Sequence, residues 1–323
     1  MIWSLKRAIG FPARPVLITA PGAAFVAMVL FFAVAPLFIY PVFLMQVLCF
    51  ALFACAFNLL VGYVGLLSFG HAAFFGIAGY VCGHAAKVWG LTPELAIIAG
   101  SLAAVGLGFV IGALAIRSQG IYFAMITLAF AQMVYFYCVQ AKFTHGEDGI
   151  QGIPRGHLFG TVDLDNMTSM YLVVIIIFLA SFLLIYRIIH SPFGQVLKAI
   201  RENETRAVSL GYNVDRYKLI AFVLSAGLSG LAGATDTLVF QLAALTNVHW
   251  SMSGEVVLMT LVGGLGTVFG PVVGAMMIVA MQQYLAELGS WVLVAQGAVF
   301  VICVLAFRRG VVGEFGRKLR TPL

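Results

Sequence analysis

The longest stretch without charged residues limits which folds this chain can adopt. No Asp, Glu, Lys or Arg occurs between Arg14 and Lys87. Further uncharged runs cover Leu95–Ile116, Ser118–Ala141, Asn166–Tyr186, Leu219–Thr235, Val256–Ala286 and Leu288–Phe307. A helix needs about 20 apolar residues to cross a bilayer. Only 9% of the residues are charged, against about 25% in soluble domains. The fold class predicted is therefore an all-α polytopic membrane protein.

The order of these runs predicts about ten transmembrane helices, with eight or nine as alternatives, in one transmembrane domain that spans residues 1–323. Glycines should break two of the segments, at Gly65–Gly70 and at Gly263–Pro271, since glycine and proline interrupt helices. Basic residues cluster in Met1–Arg14 and in Arg308–Arg320. By the positive-inside bias, both termini should be cytoplasmic.

Two polar loops stand out between the runs. Ala141–Ser169 carries a net charge of −2, from two basic and four acidic residues. It is expected on the outer face, where a soluble partner could dock. Residues 187–218 hold six basic and three acidic residues, so the loop at 190–216 is expected in the cytoplasm. The overall charge of +6 comes from such flanking segments, and it does not indicate nucleic-acid binding.

The cytoplasmic loop has the pattern of a short amphipathic helix. Ser191 is suited to cap it and Pro192 to begin it. Apolar residues follow at helical spacing on one face, and Gly211 is expected to end the helix. Such a helix either lies in the lipid interface or docks in a groove on a partner, and the pattern alone leaves both open.

The two glycine-broken segments resemble each other weakly. GLLSFGHAAFFG (Gly65–Gly76) and GLGTVFGPVVGA (Gly264–Ala275) share a glycine, a hydroxyl residue and a second glycine. Interrupted segments in corresponding positions indicate a transport pathway, although glycine-rich membrane segments often look alike. The residues predicted to line the pathway are Ser68, Gly70, His71, Gly264, Gly266 and Thr267.

No constellation in the sequence points to catalysis. The phosphate-binding pattern GxxxxGK[ST] is absent, so the chain is not expected to hydrolyse ATP. The cysteines and histidines lack metal-ligand spacing, and no catalytic or metal site is predicted. Asp236 falls inside the seventh predicted span, Leu219–Phe240, where a carboxylate is a candidate functional group. In one interpretation, Asp236 is the proton relay of an ion-coupled carrier. In the other, which we favour, it lies in water at the outer end of the span.

Three segments resemble one family. SPFGQVLKAIRENETRAVSLGYNVDRYKLIAFVLSAGLSGLAGA, VGYVGLLSFGHAAFFGIAGY and LVGGLGTVFGPVVGA are similar to the branched-chain amino-acid ABC transporter permeases of the LivM type. The resemblance implies that the cytoplasmic loop is a coupling helix against an ATP-hydrolysing subunit. Thr205 and Arg206 depart from the loop motif. The residues implied in coupling are Pro192, Phe193, Gly194, Lys198, Arg201, Glu204, Ala207 and Gly211.

The resemblance also implies partners and a setting. A second permease subunit, two ATP-binding subunits and a periplasmic or extracellular binding protein would complete an importer in the bacterial inner membrane. The chain would hold no cofactor itself, and its partners would use ATP and Mg²⁺. Leucine, isoleucine or valine are the implied substrates, with urea or short amides as alternatives. An ion-coupled secondary carrier is the alternative from a different class.

Overall fold

A computed structural model describes residues 20–158, 160, 162–286, 289, 291–307 and 310–318. The prediction for Met1–Arg14 falls outside these residues, as do Arg308, Arg309, Leu319 and Arg320 of the predicted cytoplasmic tail. In the described part, the α-helices in chain order are α1 (Ala20–Val34), α2 (Pro41–Tyr63), α3 (His71–Lys87), α4 (Pro93–Ala115), α5 (Ile121–Gln140), α6 (Met167–His190), α7 (Pro192–Glu202), α8 (Glu204–Ser209), α9 (Val214–Phe240), α10 (Trp250–Gly263), α11 (Gly270–Tyr284), α12 (Trp291–Ala306) and α13 (Gly310–Lys318).

The helical membrane class is confirmed. Five helices (α2, α4, α5, α6 and α9) are long and apolar enough to cross a membrane. The apolar helices α1, α3, α10, α11 and α12 are shorter, with 14 to 17 residues each. Together these ten helices coincide with the ten predicted spans, but half of them are below full spanning length. The count of ten therefore stays a prediction.

Both predicted glycine breaks are present. The first lies between Tyr63 and His71, and the second between Gly263 and Gly270. Gly65, Gly264 and Gly266 have φ values of 84°, 127° and 74°. This left-handed region is open to glycine and strained for other residues, so the sequence dictates where the helices stop.

The centre of the bundle is formed by α2 and α9. In α2, 89% of the most apolar stretch is buried, and in α9 67%. The helices α2, α3 and α4 all pack against α9, while α6, α10 and α11 pack against α2. Small residues allow this close approach: a methyl group at Gly108 of α4 would collide with Ala226 of α9. Close backbone contact is a main source of helix association in membranes.

The loop between α5 and α6 is tied to the end of α9. Its strand β1 (Ile150–Gln151) pairs antiparallel with β4 (Leu242–Ala243), directly after α9. Arg155 donates from Nη2 to the Val239 carbonyl oxygen at 2.6 Å and from Nε to that of Leu238 at 3.3 Å. A second short ladder pairs β2 (His157–Leu158) with β3 (Val162–Asp163). These ladders were not predicted, because two-residue strands leave no periodic signal.

Two glycines of α4 provide a matched test of this packing. We expect Gly108→Ala to lower stability by about 1–3 kcal/mol, the usual cost of overpacking. A methyl group at Gly106 meets nothing within 4 Å, so Gly106→Ala should leave stability unchanged or raise it slightly, since alanine favours helix. Thermal unfolding of the two purified variants measures the difference, and equal shifts would contradict the packing described.

Candidate functional site

The segment α7–α8 joins α6 to α9, and its start is built as predicted. The Ser191 hydroxyl accepts a hydrogen bond from the Gly194 amide at 3.3 Å, and Pro192 occupies the first turn of α7. The Phe193 ring stacks on that of Tyr217 in α9, with 5.6 Å between centroids. A methyl group at Gly194 would collide with the carbonyl oxygens of Ile188 and Ile189. The start of α7 is thus pressed onto both neighbouring helices.

The prediction of a single helix in this loop is wrong, because Asn203 separates two helices, α7 and α8. Asn203 has extended backbone angles (φ −158°, ψ 99°), and its side chain accepts from the Arg206 amide at 2.9 Å. It therefore ends α7 and caps α8, as asparagine often does. Gly211 follows α8 with a φ of 89°, consistent with its predicted role as terminator. Ala207 is buried between Ile200 and Val214.

Arg201 connects the surface segment to both glycine breaks. Its Nη1 donates to the carbonyl oxygen of Gly62, at the end of α2. Its side chain passes Gly65 so closely that a Cβ there would lie 3.2 Å from Cγ. A Cβ on Gly266 would lie 3.1 Å from Nη1. Gly65 and Gly266 thus leave the space that the arginine side chain occupies.

Glu204 and Lys198 of this segment also have partners inside the protein. The Lys218 ammonium, at the start of α9, lies 2.7 Å from Glu204 Oε1 and is almost fully buried. Gln119, between α4 and α5, donates to the same oxygen at 3.3 Å. Lys198 places its ammonium 5.7 Å from the centre of the Tyr63 ring, within range of a cation–π contact. Only part of the segment's charge is therefore left for an external partner.

Arg201, Glu204 and Lys218 line a cavity of about 240 Å³. It lies beside the first glycine break, beneath the junction of α7 and α8. The lining residues are Val64, Gly65, Leu66, Gln119, Gly120, Ile200, Arg201, Glu204 and Lys218. Segments distant in sequence thus meet at one polar opening.

The second break is held by a side chain from the central helix α2. Asn58 donates from Nδ2 to the Thr267 carbonyl oxygen at 2.8 Å and accepts at Oδ1 from the Gly266 amide at 3.0 Å. Thr267 Oγ1 donates to the Gly264 carbonyl oxygen at 2.7 Å and accepts from the Gly270 amide at 3.1 Å. Gly264, Gly266 and Thr267 therefore form one hydrogen-bonded turn.

The other three predicted pathway residues lie in packed surroundings. Ser68 and His71 are fully buried. The His71 Nε2 lies 2.8 Å from Ser225 Oγ in α9, and rings of Phe57, Phe74 and Phe222 surround the imidazole. Ser68 Oγ accepts from the Gly70 amide at 3.1 Å. Their pathway role stays a prediction.

Comparison with known proteins now adds to this geometry. Residues 39–306 match the model of a protein family described as branched-chain amino acid transport system, permease component. That range covers more than half of the chain. The chain belongs to this permease family.

Individual relatives agree with that assignment. The permease is 26% identical over 271 residues to the high-affinity branched-chain amino acid transport system permease protein LivM of Escherichia coli. The aligned region covers 77% of this chain and 64% of the relative. A probable LivM protein of Methanocaldococcus jannaschii is 29% identical over 59% of this chain and 55% of its own. The ribose import permease protein RbsC of Bacillus subtilis is 28% identical over 69% of this chain and 70% of its own length. No solved structure matches.

The structure contradicts our favoured interpretation that Asp236 lies in water at the outer end of its helix. It is only 4% exposed, so it does not lie in water at a helix end. Asn247 Nδ2 is 3.5 Å from its Oδ2, and Oδ1 has no hydrogen-bond partner among the described residues. The loop that follows α9 folds back over the carboxylate, which no periodicity in the sequence indicates.

Sequence reasoning missed Asn58, Gln119 and Lys218 as parts of this site. Asn58 carried a usable signal, since a carboxamide near the end of an apolar 23-residue helix needs a hydrogen-bond partner. Lys218 could not be separated from the other basic residues of its loop. Gln119 had no signal at all, because only the fold brings the α4–α5 turn to Glu204.

Replacing Asn58 tests whether it holds the second break. Asn58→Leu removes a donor and an acceptor from buried backbone groups, each worth about 1–3 kcal/mol when left unsatisfied. We expect hydrogen exchange of residues 264–269 to accelerate at least tenfold. Gln46→Leu is the control, because Gln46 lies in the same helix and no hydrogen bond of its side chain is seen in the described part. Equal protection in both variants would contradict the role of Asn58.

Proposed function

We propose that this permease is the membrane subunit of an ATP-driven importer for branched-chain or related amino acids, and that it works by alternating access. The observation that carries the proposal is the reach of Arg201 from the surface helix α7 to Gly62, Gly65 and Gly266. A partner that displaces α7 would act on both glycine breaks at once. Family membership supports transport as the general role.

The coupling segment in this proposal is α7–α8, on the face assigned to the cytoplasm by its charge. An ATP-hydrolysing subunit would push on the solvent-exposed side of this segment, where Glu202 and Pro192 are exposed. Phe193 and Gly194 would pass the displacement to α9 and α6. Arg201 would shift the ends of the broken helices, so that the pathway opens to one side at a time. The other predicted coupling residues would maintain the shape of the segment.

The partners proposed are a second permease subunit, two ATP-binding subunits and a periplasmic or extracellular binding protein. One of the relatives is named a LivH permease and others LivM, which supports pairing of two related subunits. ATP and Mg²⁺ would be used by the ATP-binding subunits, without a cofactor in this chain. The proposed site is the bacterial inner membrane, with both termini in the cytoplasm.

The proposed substrates are leucine, isoleucine and valine, as the names of the LivM relatives indicate. The chain spans 64% of the E. coli relative, and a ribose permease also matches it, so homology alone defines the solute loosely. Urea and short amides remain alternatives within this class. The binding protein would select the solute, and its bound ligand identifies the substrate.

The coupling proposal is tested by Arg201→Ala in the assembled transporter. Loss of a charged hydrogen bond, worth about 1.5–3 kcal/mol, should lower solute uptake by roughly tenfold while the complex still assembles. Arg187→Ala is the control, because Arg187 is exposed on α6 at the same face and touches neither glycine break. Uptake and binding-protein-stimulated ATP hydrolysis are measured in proteoliposomes. Unchanged uptake in Arg201→Ala would refute the coupling role.

The buried carboxylate of Asp236 favours the second candidate, an ion-coupled carrier, and provides its test. Under our proposal the chain alone does not accumulate solute along an ion gradient, and Asp236→Asn in the full transporter keeps ATP-driven uptake within about twofold, because the neutral amide is nearly the same size. Ion-driven uptake by the chain alone that disappears in Asp236→Asn would establish the carrier instead. Both measurements use the same labelled solute in vesicles.

A further inference from the structure

The cavity under α7–α8 combines three kinds of wall. Arg201 and Lys218 bring positive charge, Glu204 brings negative charge, and Val64, Leu66 and Ile200 bring apolar surface. Ligand pockets of drug size have volumes of about 300–1000 Å³. A volume of about 240 Å³ therefore suits a smaller molecule. Its rim reaches the surface, because Gln119 and Gly120 are exposed.

Arg201 has hydrogen-bonding capacity left for a carboxylate. A guanidinium carries five N–H donors in a fork that matches a carboxylate. Among the described residues, its one hydrogen-bond acceptor is the Gly62 carbonyl oxygen. The Lys218 ammonium, with three N–H donors, uses Glu204 as its acceptor. Two cations at one cavity thus have unfilled donors.

Glu204 has capacity left for an ammonium group. Both of its hydrogen bonds, from Lys218 and from Gln119, go to Oε1. Oε2 has no acceptor role toward any residue that the structure describes. The C-terminal end of α2 also faces the cavity at Val64, and the carbonyl end of a helix favours positive charge. The cavity therefore has a free acceptor oxygen as well as free donors.

We propose that this cavity binds a free apolar α-amino acid. Its carboxylate is bound by Arg201 and Lys218, its ammonium by Glu204 Oε2, and its side chain lies against Leu66 and Ile200. A simple anion would leave the Glu204 oxygen unused, and a simple amine would leave the cations unused. The zwitterion with an apolar side chain matches all three walls.

The bound amino acid links α7–α8 to the turn after α2 and to the start of α9. Occupancy resists displacement of α7, so internal amino acid slows further transport. This consequence rests on the proposed function, whereas the binding itself does not. The two are separable because binding is measured on the chain alone and transport on the assembled complex.

The experiment titrates the full chain in nanodiscs of neutral lipid with three probes by calorimetry. The probes are L-leucine, isovalerate, which lacks the ammonium, and 3-methylbutylamine, which lacks the carboxylate. We expect leucine to bind more tightly than either. Glu204→Gln should weaken leucine about tenfold or more, the effect of losing one charged hydrogen bond. The same variant should bind isovalerate equally well or better, because a negative charge has been removed.

Retained isovalerate binding shows that Glu204→Gln is folded. Glu202→Gln is the matched control, since it removes the same charge from an exposed position of α7 that does not line the cavity; leucine affinity should be unchanged. Absence of leucine binding at millimolar concentration overturns the proposal. So does equal binding of leucine and isovalerate, which identifies a simple anion site, or equal weakening of leucine by Glu202→Gln and Glu204→Gln.

Discussion

Backbone groups released by a broken helix have to find partners inside the protein, because the bilayer core offers none. In this permease two side chains from outside the breaks contribute to meeting that requirement. Asn58 satisfies the second break through Thr267 and Gly266, and Arg201 takes the Gly62 carbonyl before the first. The breaks therefore lie side by side, next to the one surface segment whose motion is proposed to drive transport.

The helix α9 connects this region to the opposite face. With 27 residues and a rise of about 1.5 Å per residue, it is roughly 40 Å long. Its start receives Phe193 and Glu204, and its end is bound by Arg155 and the β1–β4 ladder. The helices α2, α3 and α4 all pack against α9, so α9 is their shared packing partner. A change at either polar loop thus reaches the same helix.

Much of the fold was predictable from local pattern, and much of the site was not. Uncharged runs located α4, α5 and α6 to within a few residues, and glycine located both breaks. The surface helix was predicted with its Ser191 cap, yet its division at Asn203 was missed because asparagine tolerates both helix and cap. Asp236 was placed in water, whereas a loop over the end of α9 buries it. The roles of the predicted pathway residues are still predictions.

By itself, the sequence determined that the chain is a helical membrane protein, where its helices break and which segments carry the charge. These properties depend on composition and on neighbours within a few residues. Only the tertiary structure decided that Arg201 binds Gly62, that Glu204 pairs with Lys218 beside Gln119, and that these groups line one cavity. Such contacts join positions up to 139 residues apart, and hydrophobic periodicity carries no information about which distant segments will meet.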